Sequence, residues 1–266
     1  MDGRRQRRRR RAWRRSRRPA GGARASARPA SRALRRLASG RRAVLGGASG
    51  RVSDVLSEQK RYYAERAPEY DDWWYRRGRY EFEPGEKEPW DADVAEAEAA
   101  LEAFGPCGLV LELAAGTGIW TRKLVRLADQ VVAVDANAET LALNTQEADL
   151  VQADVFEWRP AERFDLVFFS FWLSHVPEER FDQFWSVVRS ALLPGGRVFL
   201  VDSGPLGDAS NDERQVRQLA DGREFTIIKR YWSPAQLATR MRPLGFELDV
   251  RVTKNRHFLY GGGSAT

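Results

Sequence analysis

A doubly wound α/β fold with a largely parallel sheet is what this sequence predicts, and three observations carry it. Five short apolar runs recur along the chain: LVLEL (109–113), QVVAVD (130–135), LVQADV (150–155), FDLVFFS (164–170) and GRVFLVD (196–202). Stretches of helical character separate them, and short continuous apolar runs alternating with helices imply strands buried on both faces of a parallel sheet. The first run ends directly in a glycine-bearing turn, AAGTG (114–118). In such sheets the first strand–turn–helix, at the carboxyl ends of the strands, is the primary ligand contact.

The elements follow in order. Residues 1–51 hold 19 of the chain's Arg residues, no Lys and one acid, for a charge of +18, whereas the remaining 215 residues carry −11. The net +7 of the whole chain therefore averages two unlike segments. Arg, Ala, Gly and Pro fill 38 of those first 51 positions, so the segment has too little apolar surface to bury a core and reads as a disordered leader. The first reading is translated sequence upstream of a true start near Val52. A transit peptide and a nucleic-acid-binding tail are the alternatives. Residues 52–105 read as a helical, aromatic lid, carrying YYAERAPEYDDWWYRRGRYEF and then DADVAEAEAALEAF, which stops at Gly105-Pro106. Residues 106–263 form the α/β core. Within it, PEERFDQFWSVVRSALL repeats apolar residues at helical spacing and places Trp185 inside. SPAQLATRMRPL begins with Ser233 as N-cap and Pro234 at N1. GFELDVRVT (245–253) and RHFLYGGG (256–263) are close enough to pair as an antiparallel hairpin. Residues 203–232 show no readable pattern beyond the run EFTIIKRYW.

Composition narrows the function. A single Cys and two His leave no disulfide framework and no metal cluster, and no apolar run is long enough to span a membrane. A cytoplasmic setting is expected. The turn lacks Gly at position 121, where a dinucleotide fingerprint would need its third glycine, and no Gly-Lys-Ser/Thr triplet follows it. Glu112, just before the turn, would repel a phosphate and suits a ligand carrying positive charge.

From about residue 54 to 262 the chain resembles a class I S-adenosylmethionine (SAM)-dependent methyltransferase of the small-molecule type. The family's first motif, E/D-x-G-x-G-x-G, is matched by Glu112-Leu-Ala114-Ala-Gly116-Thr117-Gly118, with Ala114 replacing the first glycine. That exchange is mild if residue 114 has a negative φ and costly if φ is positive. The resemblance implies a Rossmann-like sheet of seven strands with the last antiparallel. It implies that Asp135, in VVAVDAN beside Ala136, accepts the ribose hydroxyls, and that Asp154 and the Val155 backbone hold the adenine. Ser170 borders the exit of the fourth strand, where the motif of amino-directed nucleic-acid methyltransferases is missing, so a nucleic-acid acceptor is not expected. LLPGGRVFLVD and LGFE fit the family's later strands.

For the acceptor, the resemblance points to His175 in FFSFWLSHVP as a general base near the transferred methyl group, the alternative being a cap or packing residue. Tyr62 and Tyr63 are assigned to the cofactor, with Arg66 or Arg61 as charge partner for its carboxylate. Trp73, Trp74 and Trp90 are assigned to packing between lid and core, and His257 to the terminal hairpin. The function expected is methyl transfer from SAM to a small-molecule acceptor. An RNA or protein methyltransferase anchored by the leader, or a SAM-binding protein without turnover, stands as the alternative.

Overall fold

The computed structural model describes residues 42–43, 51–106, 108–205 and 214–266; the rest of the Arg-rich leader lies outside the described residues. The elements run β1 (Arg42–Ala43), α1 (Val52–Tyr75), α2 (Lys87–Phe104), β2 (Leu109–Leu113), α3 (Thr121–Leu127), β3 (Gln130–Asp135), α4 (Ala138–Leu141) and β4 (Asp149–Gln152). They continue with β5 (Phe164–Ser170), α5 (Glu178–Ala191), β6 (Leu192–Ser203), β7 (Arg214–Gln218), β8 (Glu224–Ile228), α6 (Pro234–Met241), β9 (Phe246–Val252) and β10 (Phe258–Ala265).

Seven strands form one sheet in the order β4-β3-β2-β5-β6-β10-β9. The first five are parallel, and β10 runs antiparallel to both β6 and β9. The chain moves outward from β2 to β4 and then returns to place β5 beside β2, so the carboxyl ends of β2 and β5 flank the switch point where such folds bind ligands. The parallel part is what the alternation of runs predicts, and the Rossmann-like whole, with its antiparallel last strand, is what the family resemblance implies.

Side-chain alternation explains why the runs read as continuously apolar. Leu111, Leu113, Val167, Phe169, Val198 and Leu200 face one layer, where Phe184, Trp185 and Val188 of α5 and Leu237 of α6 cover them. Val110, Leu166, Phe168, Phe199 and Val201 face the other layer, against Ala97 and Leu101 of α2 and Leu124 of α3. Trp74 and Trp90 are buried on that second face, and Trp74 lies nearly parallel to Phe258 at 5.9 Å between ring centroids. Both faces are sealed, so neither needs polar residues.

Local signals set the ends of elements. Ser233 accepts from the backbone N–H of Gln236 while the Gln236 side chain accepts from the Ser233 N–H, a reciprocal cap with Pro234 in the first turn of α6. Gly105 ends α2 in the left-handed conformation. The unread stretch before α6 contains a hairpin, β7–β8, to which β1 adds a third strand. Its signal was the Asp221-Gly222 pair at the turn, where Gly222 has φ 89°.

Helix α1 crosses the carboxyl edge of the sheet and is pinned at both ends of that edge. Gln59 accepts from the Ile228 N–H of β8 and donates to the His175 carbonyl, while Asp71 takes a hydrogen bond from Thr117 in the glycine turn.

Candidate active site

The glycine turn leaves β2 through three residues of positive φ: Ala114 at 54°, Gly116 at 57° and Gly118 at 90°. A Cβ at Gly118 would collide with the Asn144 amide, so glycine there is a packing requirement. A Cβ at Gly116 would meet no protein atom, which leaves its backbone open to a ligand's approach. Ala114 has the unfavourable geometry: a left-handed alanine costs on the order of 1 kcal/mol more than glycine. The exchange is therefore strained, not mild, and the turn carries that strain at the switch point.

Asp135 at the end of β3 organises this turn. Its carboxylate accepts from the Gly116 N–H at 2.9 Å, the Asn137 N–H at 2.9 Å and the Thr140 hydroxyl at 3.2 Å. Burial raises its pKa, and these donors oppose the rise. Ala136 follows it, with its carbonyl at 3.5 Å from the Gln152 amide. At the end of β4, Asp154 accepts from the Phe156 N–H at 2.9 Å and from Lys60 of α1 at 2.5 Å, while the Val155 side chain is buried in the core. Ser170 closes β5, partly exposed. The structure thus gathers the residues of the first three motifs along one edge, under α1.

Glu112 sits deeper than its position before the turn implied. It is 1% exposed and takes a 2.5 Å hydrogen bond from Thr121, which in turn accepts from Asn144. Its second oxygen is buried without a partner. Burial pushes its pKa up to about 8, and the Asp135 charge adds to the rise against the Thr121 bond.

A cavity of about 400 Å³ lies between α1, Phe171, His175 and the β7–β8 hairpin. Tyr62, Tyr63, Tyr70, Trp73 and Tyr80 line it. Tyr62, expected at the cofactor, packs against Phe225, and Tyr63, expected there too, bonds His175. His175 is buried, with Nδ1 at 2.6 Å from the Ile228 carbonyl and Nε2 at 2.8 Å from the Tyr63 hydroxyl. The carbonyl can only accept, so Nδ1 carries the proton and Nε2 accepts from Tyr63. Burial, helped by the Lys229 charge, holds its pKa well below 6.5. His257 lines the same cavity, and its Nδ1 is 2.8 Å from Asp93. A second hollow of about 500 Å³ lies at the β9–β10 edge near Phe104 and Arg197, remote from the strand carboxyl ends.

Residues 110–196 match the model of a family described as a methyltransferase domain. The solved structure of DhpI with S-adenosylhomocysteine is 38% identical, covers 80% of this chain and 97% of its own, and superposes with a TM-score of 0.68. This chain is a class I SAM-dependent methyltransferase. Its cofactor is S-adenosylmethionine, consistent with a second DhpI structure, a SAM–HEP complex at 37% identity over 80% of this chain and 99% of its own, TM-score 0.68. The 1,6-didemethyltoxoflavin N1-methyltransferase of Burkholderia thailandensis shares the fold at 17% identity, with 84% and 93% of the two chains covered and a TM-score of 0.61. No curated protein matches the chain.

Several site residues of this methyltransferase escaped the sequence reading. Lys60 and Asp71, which bind Asp154 and Thr117, come from the helix crossing the cleft. So does Gln59. The signal was present in the phase of α1, because 59, 63, 66, 70 and 73 follow alternating steps of four and three and share one face. Asp93 was hidden differently, since only the fold brings it to His257.

Proposed function

We propose that this methyltransferase methylates a small molecule seated in the aromatic cavity under α1. The observation that carries this reading is the cavity itself: its volume lies within the range of small-ligand sites, it is walled by rings, and Phe171, just past the end of β5, and His175 line it. Glu112, the turn 114–118, Asp135, Ala136, Asp154, Val155 and Ser170 hold the cofactor in this reading. The open space above Gly116 and the acids ending β3 and β4 suit a ligand with a ribose and a positive charge and no phosphate. Bound SAM supplies a methyl group already activated by the sulfonium.

The protein's part is to align the acceptor, exclude water and take up a proton where one must leave. Tyr63 and His175 are placed for the last task. An acceptor hydroxyl or amine passes its proton to the Tyr63 oxygen as Tyr63 gives its own to Nε2 of His175, in one concerted movement. Neutral His175 has the lone pair to receive it. An acceptor that needs no deprotonation would bypass the pair.

The test is calorimetric titration of the protein with SAM, S-adenosylhomocysteine and NADH, followed by a small-molecule acceptor screen with His175→Ala in parallel. Micromolar binding of the sulfur ligands without NADH, and transfer that drops in the variant, are expected. Tight SAM binding with no transfer to any acceptor would favour a SAM-binding protein without turnover.

A further inference from the structure

Among the described residues, two arginines of the cavity wall have no carboxylate within ion-pair distance. Arg66 in α1 is 8% exposed and Arg76 at the end of α1 is 5% exposed. Both line the cavity. Among the described residues neither makes an ion pair: Nε of Arg66 and both Nε and one terminal nitrogen of Arg76 are buried without a hydrogen-bond partner. Their neighbours are rings. Arg76 lies 3.5 Å from the centroid of Trp90, 4.6 Å from Phe82 and 5.0 Å from Trp73. Arg66 stands 5.5–5.6 Å from Tyr62, Tyr70, Trp73 and Tyr80.

Cation–π contacts offset part of the cost of burying a guanidinium, but they satisfy no N–H donor. Arg76 also has φ 56°, a left-handed conformation that a non-glycine residue adopts at a cost. Burial and the neighbouring Arg66 charge push its pKa down to about 9. Other cations of the wall are engaged: Arg79 pairs with Glu69, and Lys229 bonds Ser174 and Ser203 beside Asp202. Two acids, Glu81 and Glu86, border the cavity, and neither pairs with Arg66 or Arg76. Two neighbouring buried guanidiniums in one cavity wall, with unused donors, form a site for an anion.

We infer that the methyl acceptor is an anion, a carboxylate or a phosphoryl-type oxyanion, docked by that group on Arg66 and Arg76 with its remainder against the aromatic wall. This rests on the small-molecule methyltransferase reading and deepens it. It also gives the aromatic wall a second use: the rings hold the two cations in place before the anion arrives, so little ordering remains to be done on binding.

The experiment titrates the full chain with inorganic phosphate and, separately, acetate, following the fluorescence of Trp73 and Trp90 beside Arg76, with SAM affinity measured calorimetrically in the same samples. Saturable binding of at least one anion is expected, weakened about tenfold or more in Arg76→Met and in Arg66→Met. SAM affinity should stay within about twofold in both variants. Whichever probe binds more tightly names the anion class. Arg76→Met should melt no lower than the parent, because it removes an uncompensated buried charge. No saturable anion binding to the parent, or equal binding by both variants, would overturn the inference. SAM binding weakened as much as phosphate binding would also overturn it, assigning the arginines to the cofactor's own carboxylate. Failure of the parent to bind SAM at all would instead remove the methyltransferase reading beneath it.

Discussion

Glu112 shows how one buried side chain can report on cofactor binding. With its pKa raised to about 8, it is mostly protonated at pH 7 in the free protein. A cationic ligand nearby favours its ionised form, so SAM binding at pH 7 should release up to about one proton. Calorimetry in buffers of different ionisation enthalpy measures that directly, and Glu112→Gln should abolish the buffer dependence. The sign for stability follows from the same shift. The folded state holds this proton more tightly than the unfolded chain, so the contribution is full below about pH 4.5 and is lost as pH rises to about 8. The melting temperature of the free protein should therefore fall over that range, less so in Glu112→Gln. Asp135 behaves differently, because it tethers the turn through Gly116 as well as holding the cofactor in the proposed reading. Asp135→Ala should weaken SAM binding by about tenfold or more, each lost bond to a carboxylate being worth roughly 1.5–3 kcal/mol. Unchanged affinity would remove Asp135 from the site. The acid at each strand end was legible in sequence because position after a strand implies position at the sheet edge. The depth of Glu112 was not, since it depends on Thr121 and Asn144 closing over it.

At the scale of elements, α1 is held to the body by a few polar contacts made at both ends of the cleft. Gln59 is the most exacting of them: buried, it satisfies the Ile228 N–H at 2.9 Å and donates to the His175 carbonyl at 3.3 Å. Gln59→Ala strands both groups, which should cost roughly 1–3 kcal/mol. It should also loosen α1 from β8, seen as faster amide exchange at Ile228 and in the middle of α1, with the sheet core unaffected. Unchanged exchange would mean that ring packing alone holds the helix. The terminal hairpin has a comparable anchor in Asp93, which accepts from Thr253, Asn255 and His257. Burial pushes the Asp93 carboxyl up, and the bonds from His257, Thr253 and Asn255 overcome that and bring it below its ordinary value. These tethers explain what sequence reading could and could not reach. Short continuous apolar runs, the Ser233-Pro234 start and the terminal hairpin are local, so they were readable. Gln59 to Ile228 and Asp93 to His257 join residues more than 160 positions apart, and nothing local marks them. The β7–β8 hairpin falls between: its Asp221-Gly222 turn was a local signal, but strands as polar as RQVRQ lack the apolar alternation that would have drawn attention to it.

For the whole molecule, the charge asymmetry and the placement of the site lead to one expectation. Among the described residues, every side chain that meets the cofactor motifs, Lys60 and Asp71 of α1 included, lies after residue 51. The hydrogen-bonded Tyr63 and His175, proposed above to take up the acceptor's proton, and the arginines 66 and 76 do as well. The segment before Val52 carries +18 against −11 for the remainder, and among the described residues its structural link to the fold is the two-residue strand β1 on the outer strand β7. The prediction is that a chain starting at Val52 binds SAM within about twofold of the full chain, because no cofactor-site group or core element is lost. Binding to polyanions such as RNA or heparin should behave oppositely. The full chain should bind them with an affinity that falls steeply with salt, through release of counterions by its arginines, and the shortened chain at −11 should not. If instead the shortened chain keeps its fold and its SAM affinity but loses methyl transfer to every acceptor of the full chain, the leader takes part in acceptor recognition and the small-molecule reading gives way to a polyanionic one.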